Sequence, residues 1–228
     1  MNELRIVPVT GVPEVAAGDD LAALLVDATA ALPLEDGDVL VVTQKVVSKA
    51  EGRVVPEAER AAALSVEAKR VLRRSGGMII AETVHGFVCA NAGIDASNVP
   101  GDDVVLLPLD PDASARRIRS RIAASTGIDV AVIVSDTFGR AWRLGQTDVA
   151  IGVAGIEPFV DYRGTFDQQG REMHATRICV ADELAGAAEM VMGKAEGVCA
   201  AVVRGARVIR GRGAATQIVR PPSQDLFR

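Results

Sequence analysis

The chain has 228 residues, with hydrophobic residues at 49%, charged residues at 24% and a formal net charge of −5. This balance is typical of a folded globular protein and excludes a disordered one. The negative net charge argues against nucleic acid as the main partner, because a nucleic-acid-binding protein needs a basic face for phosphates. No apolar run approaches the roughly 20 residues of a membrane helix, and no signal peptide opens the chain. We therefore expect a cytoplasmic protein without a membrane partner.

Short segments rich in Val and Ile, bounded by Gly, Asp or Pro, predict β-strands. They are residues 4–9, 38–44, 77–83, 86–90, 129–136, 147–155 and 199–205, and helix patterns occupy residues 19–32, 59–76, 112–127 and 181–197. Strands 77–83 and 86–90 follow each other through a two-residue turn, Val84-His85, which favours a hairpin. Because strands and helices do not alternate strictly, we predict an α+β fold with mixed sheets and surrounding helices rather than a doubly wound one.

Common catalytic signatures do not occur in the sequence. There is no phosphate-binding loop of the G-x-x-x-x-G-K-[ST] type and no nucleophile elbow, and the only histidines are His85 and His174. An enzyme with this sequence must therefore work mainly through carboxylates and cations.

Two acids follow predicted strands. Asp136 and Thr137 end the apolar run in "VAVIVSDTFGR", where a carboxylate and a hydroxyl suit a Mg²⁺ or Mn²⁺ ion. Asp95 in "CANAGIDASNV" repeats the arrangement after strand 86–90. Each acid could instead only begin a turn or cap the next element. Together they indicate carboxylates from two strand ends converging on a metal site.

Several cations lie close to these acids in the sequence. Lys45 and Lys49 in "TQKVVSKAEGR" follow another apolar strand and could reach nucleotide phosphates. Arg140 and Arg143 follow Asp136 and could bind anionic substrate groups. The alternative is that the lysines are solvated and the arginines form salt bridges with nearby acids.

The motifs taken together resemble one family. The segments "TQKVVSKAEGR", "CANAGIDASNV", "LLPLDPDASA", "VIVSDTFGR", "GREMHATRICVADELA" and "AAVVRG" follow in the order found in coenzyme F-420:L-glutamate ligases, also called F-420-0:γ-glutamyl ligases. The resemblance extends from about residue 4 to residue 210. It implies a GTP-dependent ligase that adds L-glutamate to the deazaflavin precursor F-420-0 through an acyl phosphate and then extends a γ-linked tail.

The resemblance also implies a fold, an assembly and cofactors. The family has a two-subdomain α+β fold whose monomers intertwine as a homodimer, and it uses Mn²⁺ or Mg²⁺, which we take as two ions, together with K⁺. Asp95, Asp136 and Thr137 resemble the family's metal ligands. We expect Asp95, Asp136 and Arg140 to be the catalytic residues. The residues that resemble nucleotide contacts are Val12, Pro13, Glu14, Val15, Gln44, Lys49 and Asn98.

Two positions depart from the family's pattern. Archaeal members have an acidic metal ligand directly after a Met-Gly pair, but here Lys194 follows Met192-Gly193. Either Glu196 substitutes for that ligand, or Lys194 contacts phosphate and the metal shell differs. Gln44 stands where a Ser is common. Both changes are similar to the bacterial branch, in which a C-terminal flavin-binding domain often follows the ligase domain.

We accordingly assign residues 1–219 to the ligase domain and residues 220–228, "RPPSQDLFR", to a tail or linker stub. Two other functions remain compatible with the sequence. One is a non-catalytic deazaflavin-binding or dimerisation module. The other is a related ligase that acts on another carboxylate.

Overall fold

The computed structural model describes residues 3–99 and 101–225 and contains both sheets and helices. In chain order the strands are β1 (Arg5–Val9), β2 (Val39–Thr43), β3 (Val54–Pro56), β4 (Ala68–Ser75), β5 (Met78–Thr83), β6 (Val88–Ala90), β7 (Asp103–Val105), β8 (Ala131–Arg140), β9 (Arg143–Ala154), β10 (Val160–Asp161), β11 (Arg177–Ile178) and β12 (Ala200–Arg204). The helices are α1 (Leu21–Ala28), α2 (Gln44–Ala50), α3 (Arg60–Glu67), α4 (Pro111–Thr126) and α5 (Val180–Met192). The predicted α+β class with mixed sheets is confirmed.

A five-stranded sheet in the order β1-β12-β2-β8-β9 forms the centre of the molecule. Strands β2 and β8 run parallel, and the other neighbours run antiparallel. The predicted strands 38–44, 129–136, 147–155 and 199–205 are all in this sheet. Their near-continuous apolar runs are explained by burial on both faces.

Alternate side chains of the central strands enter two different cores, as the two-residue period of a strand requires. Leu40 and Val42 pack on one face with residues of α1 and α4. Val39 and Val41 pack on the other face with residues of α5. Helices therefore cover both faces of the central strands.

The parallel pair β2 and β8 ends at one edge of this sheet, with Thr43 opposite Ser135. Strand β12 begins at the same edge, because the Thr43 N–H donates to the Cys199 carbonyl at 2.8 Å. In mixed sheets the carboxyl ends of parallel strands are a usual place for ligand sites. The topology thus gathers the residues that follow β2 and β8 at one location.

A smaller sheet, β4-β5-β6, lies beside the central one and confirms the predicted hairpin. Its loop is longer than the predicted two-residue turn, because the Thr83 N–H donates to the Phe87 carbonyl and Gly86 adopts a φ of +90°. The predicted helix 59–76 is wrong in its second half. Residues Ala68–Ser75 form β4, which pairs with β5 across the turn at Gly76 and Gly77. Pairing with a neighbouring strand outweighs the local helical pattern there.

The remaining predicted helices are confirmed with shifted ends, and α2 is an element that the sequence pattern does not predict. Within residues 3–99 and 101–225, no helix is both long and apolar enough to cross a membrane. Residues Pro222–Gln224 form a short 3-10 turn. The rest of the predicted tail, residues 226–228, lies outside the described residues.

Candidate functional site

A cavity of about 880 Å³ opens at the edge where β2 and β8 end. The cavity lies between several parts of the chain. They are the paired part of β8 and β9 around Asp136 and Asp148, the loop after β6, and the residues next to β2 and β12. Its polar lining residues are Glu14, Thr43, Gln44, Lys45, Lys49, Asp95, Ser97, Asn98, Ser135, Asp136, Thr137, Gln146, Asp148 and Lys194. Carboxylates and lysines from distant parts of the sequence therefore face the same space.

The first wall, which we call the sheet wall, consists of Ser135, Asp136, Thr137 and Asp148. Thr137 lies directly opposite Asp148 in the β8–β9 ladder, after a register shift between Val134 and Ser135. The Thr137 hydroxyl donates to Asp148 Oδ1 at 2.6 Å, and the Ser135 hydroxyl donates to Asp148 Oδ2 at 3.1 Å. Asp148 is only 2% exposed. Two hydroxyls and the ladder itself thus fix this buried carboxylate.

Asp136 projects from β8 between Ser135 and Thr137, so its side chain is directed to the other side of the strand. Burial first, and then the negative charges of Asp148 and Asp95, raise the pKa of the Asp136 carboxyl from 3.8 to about 7, against a hydrogen bond from the Thr137 backbone and the positive charge of Lys45. Among residues 3–99 and 101–225, no lysine or arginine forms an ion pair with Asp136. The Asp136 carboxylate is therefore a candidate ligand for a cation from solution.

The second wall, which we call the loop wall, consists of Asp95, Ser97 and Asn98. Strand β6 leads into a 3-10 turn, Asn91–Gly93, and Asp95 then exchanges two backbone hydrogen bonds with Val105 of β7. Gly93 has a φ of +78°, and a β-carbon there would lie 2.6 Å from Leu107 Cγ. Only glycine fits this turn without displacement, and the turn directs Asp95 toward the cavity.

Asp95 is held by contacts across the cavity. Lys45 Nζ lies 2.8 Å from Asp95 Oδ2 and also hydrogen-bonds the Ser97 hydroxyl. Burial alone would raise the pKa of Asp95, but hydrogen bonds from Lys45 and Ser97 and the charge of Lys45 outweigh it, so the pKa lies below 3.8. Asp95 is therefore ionised at neutral pH, whereas Asp136, with a pKa of about 7, is only partly ionised there.

Helix α2 directs two lysines at the loop wall. Lys45 and Lys49 are four residues apart and share one face of the helix. Lys49 Nζ bonds Glu14 Oε1 at 2.5 Å and the Asn98 carbonyl at 3.1 Å. Gln44 is 1% exposed, and its amide oxygen accepts from the Ser48 hydroxyl at 3.0 Å. The amide nitrogen of Gln44 has no partner among the described residues.

The segment after α5 completes the cavity. Gly193 ends the helix with φ +63°, and the next residue, Lys194, places its Nζ 2.7 Å from Thr137 Oγ1 and 2.9 Å from Asp148 Oδ1. The Lys194 carbonyl accepts from Asn98 Nδ2 at 3.2 Å. Glu196 turns back to accept from the Ala195 N–H at 2.9 Å. Of the two residues that the sequence left as alternatives, Lys194 is the one that reaches the oxygen cluster.

The structure brings together most, though not all, of the predicted site residues. Glu14, Gln44, Lys49, Asp95, Asn98, Asp136, Thr137 and Lys194 all line the cavity. Arg140 is exposed at the β8–β9 tip, where it donates to the Leu144 carbonyl at 3.0 Å, and it is not among the lining residues. Val12 and Val15 pack in the core, and Pro13 is exposed beside them. The catalytic, metal and nucleotide roles of all the predicted site residues, inside and outside the cavity, stay predictions.

Sequence reasoning missed Asp148, Ser97 and Gln146 in the lining. Asp148 had one local signal, since it is an acid at the start of the apolar strand pattern "TDVAIGVAG". Its importance arises from the register that places it opposite Thr137, and a register across two strands is not visible in either strand alone.

The donor atoms around the cavity are carboxylate and hydroxyl oxygens, the ligand types that Mg²⁺ and Mn²⁺ prefer. In the described part of the chain, no three His, Cys, Asp or Glu side chains are close enough together to enclose an ion. Lysines neutralise Asp95 and Asp148, whereas Asp136 lacks such a partner. The chemistry of the donors fits a hard cation that completes its shell with water or phosphate oxygens.

Comparisons with known proteins identify the family of the chain. The family model described as F420-0:Gamma-glutamyl ligase matches residues 11–205. A protein named Coenzyme F420:L-glutamate ligase from Methanothermobacter thermautotrophicus is 43% identical and covers 99% of both chains. Proteins of the same name from Methanopyrus kandleri and Methanocaldococcus jannaschii are 42% and 38% identical, over 99% and 100% of this chain and 98% and 99% of their own lengths. The chain therefore belongs to the F420-0:gamma-glutamyl ligase family and is a ligase.

Proposed function

We propose that this protein is a GTP-dependent ligase that joins L-glutamate to the carboxylate of F-420-0 and then extends a γ-linked glutamate tail. The observation that carries this proposal is the single cavity in which Asp95, Asp136 and Asp148 face Lys45, Lys49 and Lys194. Opposed charges of this kind suit a nucleotide triphosphate with its cation. The substrates follow from the glutamate-ligase names of the relatives.

The chemistry explains why carboxylates and cations suffice. A free carboxylate is a poor acyl donor, so the γ-phosphoryl group of GTP first moves to the F-420-0 carboxylate and forms an acyl phosphate. The amine of glutamate then attacks the acyl carbon, the new amide forms and phosphate leaves. Phosphoryl transfer depends mainly on positioning and on neutralising oxygen charges, and it requires no protein nucleophile.

The cavity lining includes one cysteine, Cys199, whose thiol is the most nucleophilic side-chain type there. Burial raises the pKa of the Cys199 thiol to about 11, and the charge of Glu14 raises it against the effect of Lys49. A thiol with that pKa is protonated at neutral pH and is a weak nucleophile. A direct transfer between the two substrates is therefore favoured over a covalent enzyme intermediate.

The binding roles follow from the two walls. Asp95, Asp136 and Thr137 would hold Mn²⁺ or Mg²⁺, which when bound neutralises phosphate oxygens and orients the triphosphate. Lys49, Asn98, Gln44 and the segment from Val12 to Val15 would contact GTP. The free amide nitrogen of Gln44 supports a ligand contact there, because a buried donor without a partner is costly. Arg140 would bind an anionic group of F-420-0.

We also propose an intertwined homodimer with two subdomains per chain, K⁺ as an additional cation, and a cytoplasmic location. These follow from the family resemblance. The exposed tip of the β8–β9 hairpin, with Leu144 at 99% exposure, supports a surface that a second chain or a substrate would cover.

The experiment that tests the function incubates the protein with F-420-0, GTP, Mn²⁺ and L-glutamate and follows the product by mass spectrometry. Expected are mass increments of one or more glutamyl residues and release of GDP that requires all four components. F-420 binding without glutamylation or GDP release would instead support a non-catalytic module. Glutamylation of a different carboxylate substrate would support a related ligase.

A further inference from the structure

Lys194 lies where a cation is needed for structural reasons. Its ammonium group approaches three side-chain oxygens: Thr137 Oγ1 at 2.7 Å, Asp148 Oδ1 at 2.9 Å and Glu189 Oε1 at 3.6 Å. Thr137 and Asp148 accept hydrogen bonds from this ammonium group, and Glu189 lies within ion-pair distance of it. Two acids and one hydroxyl thus surround the Lys194 nitrogen on its protein side.

The carboxylate of Asp148 requires this partner. Its side chain is 2% exposed, and a buried ionised carboxylate without a counter-charge is strongly unfavourable. The hydroxyls of Ser135 and Thr137 donate hydrogen bonds to Asp148 but carry no charge. Among the described residues, Lys194 is the one cation in ion-pair contact with it.

The cavity therefore has two halves with different cations. In the first half, Thr137 and Asp148 on one side of the β8–β9 ribbon surround the ammonium of Lys194. In the second half, Asp136 projects to the other side of β8 and shares the cavity with Asp95. Asp95 has Lys45 as a partner, but Asp136 has no ion pair with any residue in 3–99 or 101–225.

The position of Lys194 is built into the backbone. Gly193 adopts a φ of +63°, a conformation that favours glycine, so the turn before Lys194 is set by the backbone. The Lys194 carbonyl is bonded to Asn98 on the loop wall. The Lys194 side chain is 54% exposed. Its position is nevertheless set by the hydrogen bond of its carbonyl with Asn98 and by the contacts of its ammonium group with Thr137 and Asp148.

We propose that the ammonium of Lys194 is a permanent cation of this site, which occupies the Thr137–Asp148 half and leaves the Asp95–Asp136 half for an exogenous divalent ion. The protein then binds one divalent ion fewer than the same cavity would bind without this lysine. The ammonium would neutralise a phosphate oxygen in the place of that ion, as a point charge that needs no loading. This inference rests on the proposed function for the identity of the phosphate ligand.

The experiment counts Mn²⁺ ions bound per chain, with Mn²⁺ alone as the probe and electron paramagnetic resonance as the readout. Wild type is compared with Lys194→Gln, which removes the charge, and with Lys194→Glu, which adds a carboxylate. We expect one additional Mn²⁺ per chain in Lys194→Glu, and a weaker additional site in Lys194→Gln. The readout is the number of ions and not the affinity of a site already present in wild type, because both substitutions make the shared cavity more negative and should strengthen Mn²⁺ binding beside Asp136 as well.

Lys69→Gln is the matched control, because Lys69 also contacts a buried acid, Glu82 at 3.1 Å, but lies outside the cavity. It should bind the same number of ions as wild type. Equal Mn²⁺ counts in wild type and both Lys194 variants, with circular dichroism showing folded proteins, would overturn the inference. Failure of the proposed function is a separate result, since it would appear as absent glutamylation whatever the Mn²⁺ counts.

Discussion

The two walls of the cavity present acids of the same type but position them by different means. On the sheet wall, Asp136 and Asp148 are fixed by the β8–β9 ladder, and Asp148 accepts two hydroxyl hydrogen bonds within that wall. On the loop wall, Asp95 depends on a two-bond bridge to Val105 and on Lys45 from across the cavity.

This difference has a consequence for substitution. An acid whose position is set by backbone pairing keeps that position when its charge is removed. At Asp136, removing the charge also relieves repulsion by Asp148 and Asp95. An acid fixed by an ion pair loses a positional restraint together with its charge. Equivalent Asp→Asn changes on the two walls should therefore have similar effects on catalysis but different effects on structure.

The largest expected effect is at Asp136. Asp136→Asn should lower glutamylation by about 10³-fold, because a divalent cation would lose a carboxylate that forms no ion pair within residues 3–99 and 101–225. Thermal stability at pH 7 should rise, since the substitution removes a partly buried charge that Asp148 and Asp95 repel. The two measurements are turnover by mass spectrometry and the melting temperature in EDTA. Undiminished turnover would contradict the cation-binding role of this residue.

Asp95→Asn tests the other wall. We expect turnover to fall by about 10²-fold and, unlike at Asp136, hydrogen exchange to increase in residues 91–99 because the ion pair to Lys45 is lost. Global stability should change by less than about 1 kcal/mol, since Asp95 is 41% exposed. Asp102→Asn, an exposed acid on the same connection between β6 and β7, is the control. Equal exchange rates in both variants would remove the distinction between the walls.

The sheet wall could largely be predicted from sequence, because its signal is local. An apolar run that ends in Ser135-Asp136-Thr137 has the two-residue period of a strand and a visible end. The carboxylate that faces Thr137 could not be predicted, since Asp148 reaches that position through a register shift in β9. The same limit explains β4, whose strand state depends on pairing with β5 rather than on its own residues.

The loop wall was accessible mainly through family resemblance. By itself "NAGIDAS" predicts only a turn, and nothing local shows that Lys45 will meet Asp95, which is 50 positions further along the chain. Helix α2 is seven residues long and gives too few turns for a periodic pattern. The choice between Lys194 and Glu196 likewise depended on the backbone at Gly193, where Glu196 folds back on its own loop.

Gly93→Ala tests whether the loop wall is placed by its backbone turn. The added methyl group would meet Leu107 in a residue whose φ is +78°, so stability should fall by about 2–4 kcal/mol and turnover by about tenfold. Gly101→Ala is a matched control, because its φ is +66° but its β-carbon would have no atom within 4 Å. Denaturant unfolding and turnover are the measurements. A Gly93 variant no less stable than the Gly101 variant would show that the contact with Leu107 is easily relieved.

Lys49→Gln should have a smaller and more selective effect. Lys49 bonds Glu14 and the Asn98 carbonyl, so its ammonium belongs to the proposed nucleotide contacts and not to the sheet wall. The KM for GTP should rise by about tenfold, equivalent to about 1.4 kcal/mol, while kcat changes by less than about threefold. Lys69→Gln should leave both values unchanged. A reduced kcat with an unchanged KM would place Lys49 at the reacting groups instead.

The last comparison is the pH dependence of stability in EDTA, to which the two walls contribute with opposite signs. The pKa of Asp136 is raised to about 7 in the folded protein, so protonation stabilises the fold at low pH and this contribution is lost as pH rises from about 4 to 7. The pKa of Asp95 is lowered, so its contribution is present above 3.8 and is lost only at lower pH. Between pH 5 and pH 7.5, Asp136→Asn should therefore gain on the order of 2 kcal/mol relative to wild type, and Asp95→Asn should gain nothing. Urea unfolding at both pH values measures these differences. Parallel pH profiles for wild type and Asp136→Asn would mean that Asp136 is ionised across this range. Nearby positive charge would then stabilise both carboxylates of the sheet wall, as Lys45 stabilises Asp95 on the loop wall.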